Sequence, residues 1–156
     1  MRGDIYSISI VVDVQFKPLV VPPRLRGIAR TVLAEESVPA AELGIFIADE
    51  DSIRELNRKY AGENESTDVL SFSLTEGETF ASPDGVLRLG DVVIAYPVAE
   101  RQAQEAGRSA GDEVAHLLVH GILHLLGYDH AEGADERRMR AREEELLKLV
   151  GVSAGH

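Results

Sequence analysis

The sequence predicts an α+β fold in which one mixed four-stranded sheet packs with helices, and three observations carry the prediction. β-rich runs and helical runs follow one another from the start of the chain. The stretch Ala110–Leu126 is apolar nearly all round, as expected of a helix buried in a core. No internal repeat, low-complexity tract or linker divides the chain. With 156 residues, 44% hydrophobic and 28% charged, a single domain over 1–156 is expected, burying roughly two thirds of its unfolded surface.

Each element has its own reason. Ile5 to Val14 alternates apolar and polar residues, which suits a strand, and Pro22-Pro23 starts a helix running to about Ser37. Leu43 to Ala48 reads as a second strand. The acidic run Asp49 to Ser52 opens a short helix through Tyr60, its carboxylates at the positive end of the dipole. Asp68 to Leu74 is β-branched and aromatic enough for a third strand. A Gly- and Pro-containing loop, "EGETFASPDG", leads to a fourth at Val86 to Ala95. Pro97 starts the next helix, and Ala110–Leu126 follows. Glu136 to Val150 closes the pattern as a charged amphipathic helix with Leu146, Leu147 and Val150 for packing.

Composition sets limits on chemistry. The chain has no cysteine, so disulfides and thiolate ligands are excluded, and any metal must be held by His, Asp or Glu. Neither a signal peptide's apolar run nor a stretch of 18 apolar residues occurs, so a soluble, cytoplasmic protein with no membrane partner is expected. A net charge of -11 argues against broad, nonspecific nucleic-acid binding but leaves room for a local basic site. Basic residues gather at Arg24, Arg26 and Arg30, at Arg54, Arg58 and Lys59, and at Arg137, Arg138, Arg140 and Arg142. Interleaved as they are with acids, each group reads first as a solvated helix face.

The segment "HGILHLLGYDH", His120 to His130, carries the chemistry. Positions four apart lie on one helix face about 6 Å along the axis, so His120 and His124 can meet at one ion. His116 shares that face but stands about 12 Å from His124, too far for three rings of a straight helix to converge at zinc–nitrogen distances near 2 Å. It reads as a packing residue or as support behind a ligand. Gly127 can take the left-handed conformation that ends a helix and turn the chain back, so that His130 completes the set. The competing reading is a group of hydrogen-bonded core histidines. Three nitrogen ligands leave a position for water, whose pKa zinc lowers to about 7, so the expected cofactor is one zinc ion per chain at a catalytic site. The spacing is that of a zincin-like metal helix buried in the core. In metzincin proteases, however, the residue after the first His is a glutamate general base, and here it is Gly121. Loss of that base weighs against peptide hydrolysis, whereas phosphodiester cleavage leans more on charge stabilisation and positioning.

These residues resemble the YbeY family of metal-dependent, single-strand-specific endoribonucleases. The similarity extends from "HGILHLLGYDH" to "LNRKYAGENESTDVLSFSL", Leu56 to Leu74, and "LGDVVIAYPVAERQA", Leu89 to Ala103. The resemblance implies zinc at His120, His124 and His130, a single-stranded RNA substrate, a role in small-subunit (16S) rRNA 3′-end maturation and ribosome quality control, the small ribosomal subunit as partner, and a cytoplasmic location. After Tyr60 the family usually carries an arginine thought to act on RNA, where this chain has Ala61, and Ser73 stands where proline is frequent. Arg58 and Lys59 at the same helix end are then the candidate substrate-binding residues. Thr67 and Asp68 either line the cleft or cap the turn into the strand, and Asp129 either orients an imidazole or satisfies loop amides. No residue is singled out as general base. Two other functions fit the spacing: a metalloprotease-like zinc hydrolase, and a noncatalytic ribosome assembly factor whose zinc only fixes the fold.

Overall fold

The computed structural model describes residues 5–61, 68–73, 86–128 and 133–152. Within them the chain runs β1 (Tyr6–Val12), α1 (Pro22–Glu35), β2 (Ala41–Ala48), α2 (Glu50–Ala61), β3 (Val69–Ser73), β4 (Leu87–Ala95), α3 (Tyr96–Ala106), α4 (Ala110–Leu125) and α5 (Gly133–Leu149). The four strands form one sheet in the order β1-β2-β4-β3. β1 and β4 each pair with β2 in parallel, while β3 runs antiparallel to β4, so the sheet is mixed as the sequence predicts.

Alternation along the strands sorts side chains onto two faces. Leu43, Ile45 and Ile47 of β2 and Val92 and Ile94 of β4 share the main core with Leu25, Ile28 and Val32 of α1, Leu118 and Ile122 of α4, and Met139 and Leu146 of α5. On the other face Val93 and Ala95 pack with Ile53 of α2, joined by Phe46, Leu56, Leu70 and Phe72. β4 is covered on both sides, which explains its unbroken "VVIA".

Two boundaries depart from the sequence reading. β1 stops at Val12, and Val14–Leu19 forms a 3-10 turn in which Phe16 is buried and stacks on Tyr96 with ring centroids 5.0 Å apart. The cause is Asp13: its side chain accepts from the Gln15 amide at 3.1 Å, a local bond that competes with the strand ladder. α5 begins at Gly133, one turn before Glu136, and Val150 is only half-buried against the core. Tyr128 and Arg142 both bond the Glu36 carboxylate, tying the end of α1 to the exit of α4 and to α5.

Arg54 pairs with Asp51, Arg138 with Asp135 and Arg140 with Glu136 inside their own helices, whereas Arg24 of α1 reaches across to Asp112 of α4 at 2.9 Å. Exposed pairs of this kind contribute little stability. Among the described residues no helix is long and apolar enough to cross a membrane.

Candidate metal centre on α4

α4 owes its limits to its two ends. Ser109 caps the start by accepting from the Asp112 amide at 3.0 Å. At the finish Gly127 has φ 103°, its amide bonds the His124 carbonyl at 3.0 Å, and the Tyr128 amide bonds the Leu123 carbonyl at 3.0 Å. This is the Schellman arrangement, and it makes Gly127 the residue that turns the chain. His116, His120 and His124 lie along one half-exposed stripe of an otherwise buried helix. The rings of His120 and His124 stand 4.7 Å apart, nearly edge to face at 72°.

Gly121 faces the sheet, not the histidine stripe. A Cβ there would lie 2.7 Å from Val92 Cγ1 and 3.3 Å from Ser71 Oγ, and the Ser71 hydroxyl donates to the Gly121 carbonyl at 3.1 Å. The missing side chain lets the α4 backbone approach β4 and β3 closely. A glutamate at this position would have to enter the space held by Val92.

Behind the histidines lies a polar chain that sequence reasoning missed. Glu143 of α5 is buried, and its carboxylate receives both His116 Nε2, at 3.3 Å, and His120 Nδ1. His116 Nδ1 stands 3.0 Å from Arg108 Nη2, and Arg108 is paired with the buried Glu113 at 2.7 Å. Burial pushes the Glu143 carboxyl up, but the hydrogen bonds from His116 and His120 outweigh it and hold the group at about 2. Elsewhere burial alone pushes the Asp91 carboxyl on β4 up. No sequence signal marked Glu143, which is one acid among several on a charged helix.

The family model for Endoribonuclease YbeY matches residues 17–151. The chain belongs to this family. Proteins named Endoribonuclease YbeY include one from Dehalococcoides mccartyi, 44% identical over 154 residues and covering 92% of this chain and 90% of that one. One from Pelotomaculum thermopropionicum is 49% identical over 129 residues, covering 82% and 84%. One from Roseiflexus castenholzii is 42% identical over 152 residues, covering 93% and 96%. The solution structure of a Thermotoga maritima protein shares the fold, with a TM-score of 0.59 at 23% identity over 91% of this chain and 90% of that one.

The described part of this YbeY-family chain brings some of the expected site residues together and leaves others apart. His120 and His124 are adjacent, and both belong to the half-exposed stripe. His130, Thr67 and Asp129 lie outside the described residues. Among the described residues no group of three His, Asp or Glu side chains is arranged to hold an ion. The donor chemistry nevertheless fits zinc: two imidazoles one helical turn apart, one of them backed by a carboxylate on its other nitrogen. Arg58 and Lys59 sit in the last turn of α2, whose apolar side packs on the opposite face of the sheet from α4. Arg58 is paired with Glu55. Asp68 accepts from Gln102 Nε2 at 3.3 Å, and its carbonyl accepts from the Ala95 amide at 2.9 Å, so it anchors the start of β3 against β4 and α3.

Proposed function

We propose that this chain is a zinc-dependent endoribonuclease specific for single-stranded RNA, acting in the cytoplasm on the 3′ end of small-subunit (16S) rRNA and in ribosome quality control. It works as a single domain with one zinc per chain and the small ribosomal subunit as partner. The observation that carries the reading is the His120–His124 pair on the half-exposed stripe of a buried helix closed by Gly127, in a member of the Endoribonuclease YbeY family.

His120 and His124 would hold the ion, with His130 as third ligand. When bound, zinc supplies Lewis-acid stabilisation of phosphodiester charge and a water of pKa about 7. The chain's own residues do the rest. Gly121 seats the helix, Gly127 ends it, and Arg58 and Lys59 offer phosphate contacts at the end of α2. With a net charge of -11, long-range attraction for RNA is small, so binding depends on such local contacts and on a partner that presents the substrate. Peptide hydrolysis is disfavoured by position 121, which faces Val92 and has no room for the glutamate base.

Elemental analysis of the purified protein, followed by cleavage assays on single-stranded RNA, double-stranded RNA and casein, tests the reading. One zinc per chain and chelator-sensitive cleavage of unpaired RNA alone are expected. Casein cleavage that disappears with His120→Ala would overturn it, and so would a protein that binds no zinc.

A further inference from the structure

We infer that Arg108, His116 and Glu143 form a positioning chain that fixes which nitrogen of His120 is presented to the ion. The inference rests on the zinc reading above for its purpose, but its geometry stands without a metal.

The direction of each bond follows from what each group can donate. A guanidinium has only donors, so in the contact between Arg108 Nη2 and His116 Nδ1, 3.0 Å apart, the ring nitrogen accepts. A neutral His116 then carries its proton on Nε2 and donates it to Glu143 Oε1 at 3.3 Å. The second oxygen of the same carboxylate accepts from His120 Nδ1–H, which turns the Nε2 lone pair of His120 away from Glu143. One carboxylate thus holds two histidines of one helix face in opposite tautomers. His116 spends both nitrogens on protein partners, which removes it from the ligand set on grounds independent of its distance from His124. The chain is anchored at its far end, where Arg108 donates twice to Glu113, at 3.0 and 2.7 Å, with side chains only 11% and 7% exposed. Its members come from the turn before α4, from α4 and from α5, so no local segment contains the device.

Such outer hydrogen bonds orient ligand rings and raise their basicity, and their loss typically weakens metal binding by about tenfold to a hundredfold. Glu143→Gln is the direct test, because the two rings reach different oxygens of the carboxylate and the amide replaces one of those acceptors by an NH2 group, which can only donate. Zinc affinity, read by competition with a chromogenic chelator, should fall by about that factor. Arg108→Met should also weaken zinc binding although Arg108 does not touch His120, while Arg108→Lys, which keeps a donor, should stay close to wild type. Independent of any variant, ring nitrogen and carbon chemical shifts of the zinc-free wild-type protein, recorded above the imidazole titration range, should show Nδ1–H for His120 and Nε2–H for His116. The reverse tautomers, or an affinity unchanged in Glu143→Gln, would overturn the inference. If wild type binds no zinc but shows these tautomers, the proposed function fails and the positioning chain stands.

Discussion

Replacing Gly121 by alanine should destabilise this protein, although the same change inside a helix ordinarily stabilises by about 1 kcal/mol. The new Cβ would stand 2.7 Å from Val92 Cγ1 and 3.2 Å from Cγ2. Val92 is fully buried and β-branched, so neither its rotamer nor its neighbours yield cheaply. Overpacking of this kind costs about 1–3 kcal/mol. Set against the helix-propensity gain, the net is a loss of up to about 2 kcal/mol, and each kcal/mol moves Tm by about 2–4 °C at this size. The assay is a double-mutant cycle by thermal and urea unfolding with Gly121→Ala, Val92→Ala and both. Removing the Val92 methyls should make the alanine at 121 harmless or favourable, giving a coupling of about 1 kcal/mol or more. Additivity of the two changes, together with a single Gly121→Ala variant as stable as wild type, would refute the close approach of α4 to the sheet.

His124→Ala should abolish zinc binding and with it the stabilisation zinc confers, about 2.7 kcal/mol when free zinc is a hundredfold above its Kd, whereas His116→Ala should keep one zinc at reduced affinity. Metal content and Tm measured with and without zinc check both. Cleavage of free RNA should fall steeply with salt, and the Arg58→Ala, Lys59→Ala double variant should flatten that dependence; superimposed curves would mean that the end of α2 does not meet RNA. The raised Asp91 carboxyl means that the folded state binds its proton more readily than the unfolded chain does. Its contribution to stability is therefore full below the unfolded value, about 3.9, and lost as pH rises through the elevated folded one. Asp91→Asn should raise Tm at neutral pH, with the gain vanishing in acid; a gain that grows in acid would contradict the assignment.

The fold class and most elements were legible because their signals are local. Alternation marks β1, the Pro22-Pro23 start marks α1, and Gly127 marks the end of α4 three residues before His130. The pairing of His120 with His124 was legible for the same reason, since one helical turn separates them. What escaped was long-range. Glu143 lies 23 positions from His120 and is singled out only when α5 packs on α4. The reason for glycine at 121 is a contact with Val92, which the sequence places on a separate strand. Arg58 and Lys59 were singled out by their place at the helix end that carries Ala61, whereas the packing of α2 on the opposite face of the sheet from α4 is a long-range outcome. The 3-10 turn after β1 was hidden by an alternation that continues to Val14 after pairing has ended.

The strand order also bears on how the molecule is assembled. β4 inserts between β2 and β3, so Ala41 must find Leu87 in parallel register while α2 and β3 lie in the intervening chain. Contacts so distant in sequence are slow to form, since the loop must close before any pairing rewards it. The histidine stripe needs a further step, the docking of α4, the second helix after β4, against Val92 and Ser71. If that docking follows the rate-limiting strand pairing, zinc leaves the folding rate nearly unchanged and slows unfolding instead. In a cell that withholds metal, such a protein would still reach its fold at its usual speed but would open and be degraded sooner.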